Sequence, residues 1–258
     1  MSAVLLRVDQ LVKRFGGLTA TDHAQLMVQQ GSVHALIGPN GAGKTTLIHQ
    51  ISGALQPDEG TICFDGCDVT AMPMHQRARI GLVRSYQITS IFQRLSVLDN
   101  LALAVQAISG SSFRFWRPAR ADHERYAQAA ALVERVGLGA RLDSIAASLS
   151  HGEQRQLELG LALATRPKLL LLDEPMAGLG ADETEQMVAL LQSLRGEFTL
   201  LLVEHDMDAV FRLADTVSTL VFGKVIASGT AQQIKDNPEV QRAYLGDDEV
   251  LDDRLPAQ

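Results

Sequence analysis

The chain has 258 residues, of which 46% are hydrophobic and 21% are charged, a globular composition that excludes a disordered or fibrous chain. Acidic residues number 30 and basic residues 23, so the net charge is −7 and broad, sequence-blind binding to nucleic acid is not expected. The length suits one large domain or two small ones.

Membrane-spanning and secretory segments are not expected. No uncharged apolar run reaches the length of about 18 residues that a transmembrane helix needs. The apolar stretch before Arg7 is too short for the core of a signal peptide. We therefore expect a soluble, intracellular chain with, at most, a peripheral role at a membrane.

The N-terminal part alternates short apolar and polar stretches, which predicts strands that turn at Gly16-Gly17. Farther on, Cys63 and Cys67 flank Asp65-Gly66, a turn signal between two short apolar runs. Two cysteines are too few for a disulfide framework. We predict that they are reduced and lie in a β-hairpin.

A glycine-rich loop follows the apolar run 33–37, and apolar residues then recur at helical spacing. Strand, glycine loop and helix form the context of a phosphate-binding loop, in which backbone N–H groups and the positive end of the helix face an anion. Lys44 would bind the β- and γ-phosphates, and the Thr45 hydroxyl would ligate Mg²⁺. The predicted nucleotide-binding residues are Gly38, Pro39, Asn40, Gly41, Ala42, Gly43, Lys44, Thr45 and Thr46.

The region 88–147 changes character, because its apolar residues recur at helical spacing with few strand signals. We predict a helical subdomain over 88–147, inserted into a nucleotide-binding α/β core made of 1–87 and 148–258. The whole chain would form a single domain. Within the insertion, 113–117 interleaves aromatic and cationic residues, for which we favour an exposed connector over a contact with a membrane.

Two adjacent carboxylates, Asp173 and Glu174, directly follow a buried run of four leucines. Ligands of open α/β sheets lie at the carboxyl ends of strands. We predict that Asp173 orients Mg²⁺ through its water shell and that Glu174 is the general base for an attacking water. Their alternative role is to cap a helix. A helix at 182–194 and a strand at 199–203 follow, which predicts a mixed, largely parallel sheet with helices on both faces.

The segment LSHGEQ at 149–154 resembles the signature sequence of ATP-binding cassette (ABC) ATPases, usually Leu-Ser-Gly-Gly-Gln, with His151 and Glu153 as departures. Phe15 resembles the aromatic residue that stacks on adenine, Gln87 the Q-loop glutamine and His205 the switch histidine. On these ordered motifs the chain is identified as a member of the ABC ATPase family. The resemblance implies an α/β phosphate-loop NTPase core with an antiparallel β subdomain and an inserted helical subdomain.

The resemblance also implies a head-to-tail dimer in which each ATP lies between one subunit's phosphate loop and the other subunit's signature. The implied catalytic residues are Glu174, His205 and Lys44. The implied Mg²⁺ site contains Thr45, Gln87 and, through water, Asp173. For Phe15, packing in the core is the alternative. The residues implied to contact the opposite subunit's ATP are Ser150, His151, Gly152 and Glu153.

One position departs from the family in a way that concerns this dimer. Many cassettes end the loop after the catalytic glutamate with an aspartate, and this chain has Gly180 there. Glycine cannot supply the carboxylate that those cassettes use across the dimer.

Stretches at 15–18, 149–165, 173–178, 203–208 and 237–246 resemble the ATP-binding subunit of branched-chain amino-acid importers. This implies an energy-coupling ATPase at the cytoplasmic face of a bacterial-type inner membrane, with ATP and Mg²⁺ as cofactors. The implied partners are an identical or paralogous ATPase subunit, two transmembrane permease subunits and, indirectly, a substrate-binding protein, but no nucleic acid.

Several alternatives remain beside the amino-acid importer. A urea importer or lipopolysaccharide exporter subunit would have similar motifs. A soluble ABC ATPase acting on nucleic acid or ribosomes is disfavoured by the single cassette and the net charge of −7. A phosphate-loop kinase is disfavoured by the signature and by His205.

Overall fold

The computed structural model describes residues 3–85, 91–109 and 122–244. Its first sheet is antiparallel and is built on the hairpin of β1 (Val4–Phe15) and β2 (Leu18–Gln29), which turns at Gly16-Gly17 as predicted. A second hairpin joins β4 (Glu59–Phe64) to β5 (Cys67–Asp68), and β4 pairs with β1. The strand order is β2-β1-β4-β5. Both cysteines are free in the predicted hairpin.

The second sheet has six strands. Three are buried at every position, namely β3 (Val33–Ile37), β7 (Leu169–Asp173) and β8 (Thr199–Val203). The others are β6 (Leu82–Ser85), β9 (Thr216–Val221) and β10 (Lys224–Gly229). Among the described strands the order is β10-β9-β3-β8-β7-β6, and of these pairs only β10–β9 is antiparallel. The predicted mixed, largely parallel sheet is confirmed, and its parallel strands end at one edge.

Helices cover both faces of this sheet. Neighbouring leucines of β7 point to opposite sides. Leu169 and Leu171 pack with α1 (Lys44–Ser52) and the first sheet, whereas Leu170 and Leu172 pack with α5 (His151–Ala164) and α6 (Ala181–Ser193). The remaining short helices are α2 (Met74–Arg79), α7 (Met207–Leu213) and α8 (Ala231–Lys235).

Two helices, α3 (Val97–Ser109) and α4 (His123–Arg135), lie between β6 and α5 in the chain and pack on each other and on α5. Short 3-10 turns at Gly139–Arg141 and Ala146–Ser148 lead into α5. These helices fall within the predicted insertion 88–147, whose exact limits stay a prediction. The segment 113–117 lies outside the described residues. Within the described ranges, no helix combines the length and apolar character needed to cross a bilayer.

Candidate functional site

The loop between β3 and α1 requires glycine at two positions. Gly38 has a φ of +153° and Gly43 a φ of +102°. A Cβ atom on Gly38 would lie 2.1 Å from the carbonyl oxygen of Leu220, and one on Gly43 would lie 2.1 Å from that of Ala20. Only glycine avoids both clashes. Because Gly43 is the N-cap of α1 and has no side chain, the first amides of the helix stay available to an anion.

Lys44 bends back over this loop. Its Nζ atom donates hydrogen bonds to the carbonyl oxygens of Gly38 and Pro39, at 2.6 and 2.9 Å. Burial lowers the pKa of Lys44 below its usual value, and the negative charges of Glu174 and Asp173 offset only part of this effect. The ammonium group is therefore held beside the two predicted carboxylates by neutral acceptors, which phosphate oxygens could replace.

A cleft with a volume of about 350 Å³ opens in front of the loop. Its wall includes Glu174 and two aromatic residues, Phe15 and Phe222. The exposed fraction is 50% for Phe15 and 86% for Phe222. The exposure of Phe15 removes core packing as its alternative. Phe222 was not predicted from the sequence to be part of the site; it has a φ of +47°, which is unusual for a bulky residue. The available signal was the Phe222-Gly223 turn between two strands. The cleft is also lined by Asn40, Gly41, Ala42, Gly43, Lys44, Thr45 and Thr46.

The two carboxylates at the end of β7, Asp173 within the strand and Glu174 directly after it, have different surroundings. Asp173 Oδ2 accepts a hydrogen bond from Nη2 of Arg84 at 2.7 Å, and both side chains are buried. Glu174 has a φ of +49°, a conformation that costs energy and is typical of functional sites. Its N–H group donates to the carbonyl oxygen of Val203 at 2.8 Å, which fixes the turn at the cleft wall. Arg84, a charged residue next to the apolar pair Leu82-Val83, was not predicted from the sequence to be part of the site.

His205 lies in the loop after β8, and its side chain is 66% exposed. The preceding residue, Glu204, is buried and was not singled out from the sequence. Its Oε1 atom accepts from the Met176 amide at 2.8 Å and its Oε2 atom from the His205 amide at 3.2 Å. Burial raises the pKa of Glu204 above its usual value, and the hydrogen bonds from these amides offset only part of this effect. Glu204 thus ties the loop that follows Glu174 to the loop that carries His205.

The signature residues begin α5. Ser150 is its N-cap: the Oγ atom accepts from the Glu153 amide at 3.2 Å, and Glu153 Oε2 accepts from the Ser150 amide at 2.8 Å. His151 and Gly152 form the first turn of the helix. None of the four is among the described residues that line the 350 Å³ cleft. They are thus placed outside the site formed by their own subunit's phosphate loop.

The residues present suit a magnesium ion bound together with phosphates. The described residues contain no group of three or more His, Cys, Asp or Glu side chains that could hold a metal alone. Mg²⁺ commonly takes one or two protein oxygens, several waters and substrate phosphates. The Thr45 hydroxyl and the Asp173 carboxylate, near the phosphate loop, are oxygen groups of this kind. Gln87, the third predicted metal-binding residue, lies outside the described residues.

Comparisons with known proteins agree with this geometry. The family described as "ABC transporter" matches residues 21–177, and "Branched-chain amino acid ATP-binding cassette transporter" matches 224–250. The chain is 40% identical to the high-affinity branched-chain amino acid transport ATP-binding protein BraF of Pseudomonas aeruginosa, over 96% of this chain and 100% of BraF. The lipopolysaccharide export system ATP-binding protein LptB of Acidithiobacillus ferridurans is 34% identical, over 94% of this chain and 97% of LptB.

Among solved structures, the ADP conformation of MJ1267, an ATP-binding cassette of an ABC transporter, superimposes with a TM-score of 0.83. It is 30% identical to this chain, and the match covers 95% of this chain and 100% of MJ1267. The phosphate loop, the carboxylates at the end of β7 and the signature therefore lie in the fold of an ATP-binding cassette. The chain belongs to the ABC transporter family as an ATP-hydrolysing cassette with the α/β fold of that family.

Proposed function

We propose that this chain is the energy-coupling subunit of an importer for branched-chain or related hydrophobic amino acids. The observation that most supports this cargo is the match of residues 224–250 to the branched-chain amino acid cassette family, beside 40% identity to BraF over 96% of the chain. The subunit would work at the cytoplasmic face of the cell membrane. Its partners would be a second cassette, two permease subunits and, indirectly, a substrate-binding protein.

In this function the loop 38–46 binds the phosphates of ATP. The backbone amides and the positive end of α1 face the anion, and Lys44 exchanges its carbonyl partners for β- and γ-phosphate oxygens. Mg²⁺ would be held by Thr45, Gln87 and, through water, Asp173, and when bound it would neutralise phosphate charge. Phe15, exposed at the cleft wall, packs on the adenine ring.

Hydrolysis then needs a base and an orienting group. Glu174, held in the cleft wall by its strained backbone, accepts a proton from the attacking water. His205 contacts the γ-phosphate and orients this water, with its backbone fixed by Glu204. Both residues follow neighbouring parallel strands, β7 and β8, whose carboxyl ends lie at the same edge of the sheet.

The site is completed by the second cassette. The start of α5 carries the four signature residues outside their own subunit's cleft, namely Ser150, His151, Gly152 and Glu153. The positive end of α5 suits the γ-phosphate of a nucleotide bound to the partner. Closing two cassettes on ATP and reopening them after hydrolysis would move the helices α3 and α4, and through them the permease.

The test is transport by the complete assembly. The chain is purified with the membrane subunits that associate with it, reconstituted into vesicles and given ATP, a binding protein and radiolabelled leucine. We expect ATP-dependent leucine uptake that Lys44→Ala abolishes. Association with lipopolysaccharide-export components, or uptake of urea but not leucine, would contradict the proposed cargo. Transfer of phosphate to a small acceptor instead of water would contradict the transport function altogether.

A further inference from the structure

The carboxylate of Glu183, in the first turn of α6, lies directly on the signature segment of the same subunit. Its Oε1 atom accepts hydrogen bonds from Ser150 Oγ at 3.0 Å and from the Gly152 amide at 3.2 Å. Its Oε2 atom accepts from the Gly180 amide at 3.3 Å. One side chain therefore joins the N-terminal ends of α5 and α6.

The contact uses the donor groups that this end of α5 offers. Ser150 Oγ already accepts from the Glu153 amide, and its single proton points to Glu183. A Cβ atom on Gly152 would lie 2.7 Å from the carboxyl carbon of Glu183, so glycine is needed for this approach. Hydrogen bonds from Ser150 and Gly180 lower the pKa of Glu183, which keeps the carboxylate charged.

In the function proposed above, a γ-phosphate that reaches the signature would accept hydrogen bonds from these same donors. One hydroxyl proton and one amide proton cannot serve two anions at full strength. We propose, on the basis of the function proposed above, that the Glu183 carboxylate occupies the γ-phosphate's place on the signature and is displaced when two cassettes close on ATP. ADP lacks the γ-phosphate and leaves Glu183 in place, so the contact favours pairing on the triphosphate.

The same displacement connects the signature to the loop that follows Glu174. When Glu183 leaves, the Gly180 amide loses its acceptor at the end of this loop. The loop also lies close to the signature at Gly178, where a Cβ atom would be 3.4 Å from His151 Nε2. Many cassettes have an aspartate at the position of Gly180. In this chain the carboxylate in contact with that position belongs to Glu183, three residues farther along.

The experiment measures ATP-dependent pairing of the full chain. In a Glu174→Gln background, which is expected to bind ATP without turnover, the dimer fraction is followed by sedimentation as ATP is raised. A neutral amide accepts more weakly than a carboxylate, so Glu183→Gln should lower the ATP concentration for half-maximal pairing about fivefold. Glu183→Ala should shift it in the same direction. Asp182→Asn is the matched control, because it removes the same charge from a neighbouring exposed residue.

The outcomes separate this role from the proposed function. An unchanged or higher ATP requirement in both Glu183 variants would overturn the role of Glu183 alone. An equal shift in Asp182→Asn would overturn it too, because net charge would then be the cause. If no variant pairs while each binds ATP with the affinity of the parent, pairing itself is contradicted. Matching thermal unfolding curves confirm that each variant is folded.

Discussion

Nη2 of Arg84 lies 2.7 Å from Oδ2 of Asp173, and the two side chains are only 7% and 6% exposed. The carboxylate proposed to orient Mg²⁺ thus has a cationic partner on the neighbouring strand. A buried ion pair adds little net stability over a hydrophobic pair, but removal of one partner leaves an uncompensated buried charge. This asymmetry makes the pair testable.

Arg84→Met should lower the free energy of unfolding by about 3–5 kcal/mol, because Asp173 would keep a buried charge without its guanidinium. Arg84→Lys retains the charge and should restore part of the loss. Urea denaturation measures both, and Arg79→Met, at an exposed arginine of α2, is the control. If the Arg84→Met protein is as stable as the parent, the pair does not hold Asp173 as described.

Glu204→Gln should lower kcat about tenfold and leave ATP affinity unchanged. The carboxylate accepts from the amides of both Met176 and His205, and the single carbonyl oxygen of glutamine cannot replace two acceptors. If Glu204 acts through His205, the double variant with His205→Ala should be no slower than His205→Ala alone. Steady-state phosphate release measures the cycle. Independent, additive losses would show that Glu204 does not act by positioning His205.

His34 should make stability depend on pH. It is buried in β3, its Nε2 atom lies 2.8 Å from Ser218 Oγ, and burial lowers its pKa from 6.5 to about 4. The unfolded chain therefore binds a proton at a higher pH than the folded chain does. The contribution is complete above pH 6.5 and falls by about 3 kcal/mol as the pH drops to 4.

The measurement compares the parent with His34→Gln, whose amide stays neutral at every pH. The free energy of unfolding of the parent, relative to that of His34→Gln, should fall as the pH falls from 6.5 to 4. A difference that stays constant over this interval would show that His34 does not titrate on unfolding.

Glu174→Gln should retain ATP binding and lower the rate of phosphate release about 10²–10⁴-fold, because glutamine cannot accept the proton of the attacking water. Glu185→Gln is a suitable control, since this exposed residue of α6 pairs with Arg212 on the surface. Turnover at the parent rate would remove Glu174 from the role of base.

The parts of the site that the sequence predicted are those carried by local patterns. The apolar run of β3, the glycine loop and Lys44 are contiguous, and Glu174 directly follows its strand. Side-chain partners far apart in the chain could not be predicted in this way. Arg84 meets Asp173 only because β6 and β7 are neighbours in the sheet. That pairing depends on the whole fold.

The loop after Glu174 shows the same limit. From the sequence, Gly180 signals only a missing carboxylate. In the structure, Glu183 reaches back to the Gly180 amide and across to Ser150, because α5 and α6 begin side by side. Phe222 was missed for a related reason: its place in the cleft follows from the β9–β10 turn lying beside the phosphate loop.

The most direct test of the account is a crystal structure of the Glu174→Gln protein grown with ATP and Mg²⁺. The decisive quantity is the distance from Ser150 Oγ of one subunit to the nearest γ-phosphate oxygen of the nucleotide held by its partner's phosphate loop. We predict a hydrogen bond there, with Glu183 turned away from Ser150. A nucleotide-bound protein in which Ser150 stays on Glu183, remote from every γ-phosphate, would contradict it.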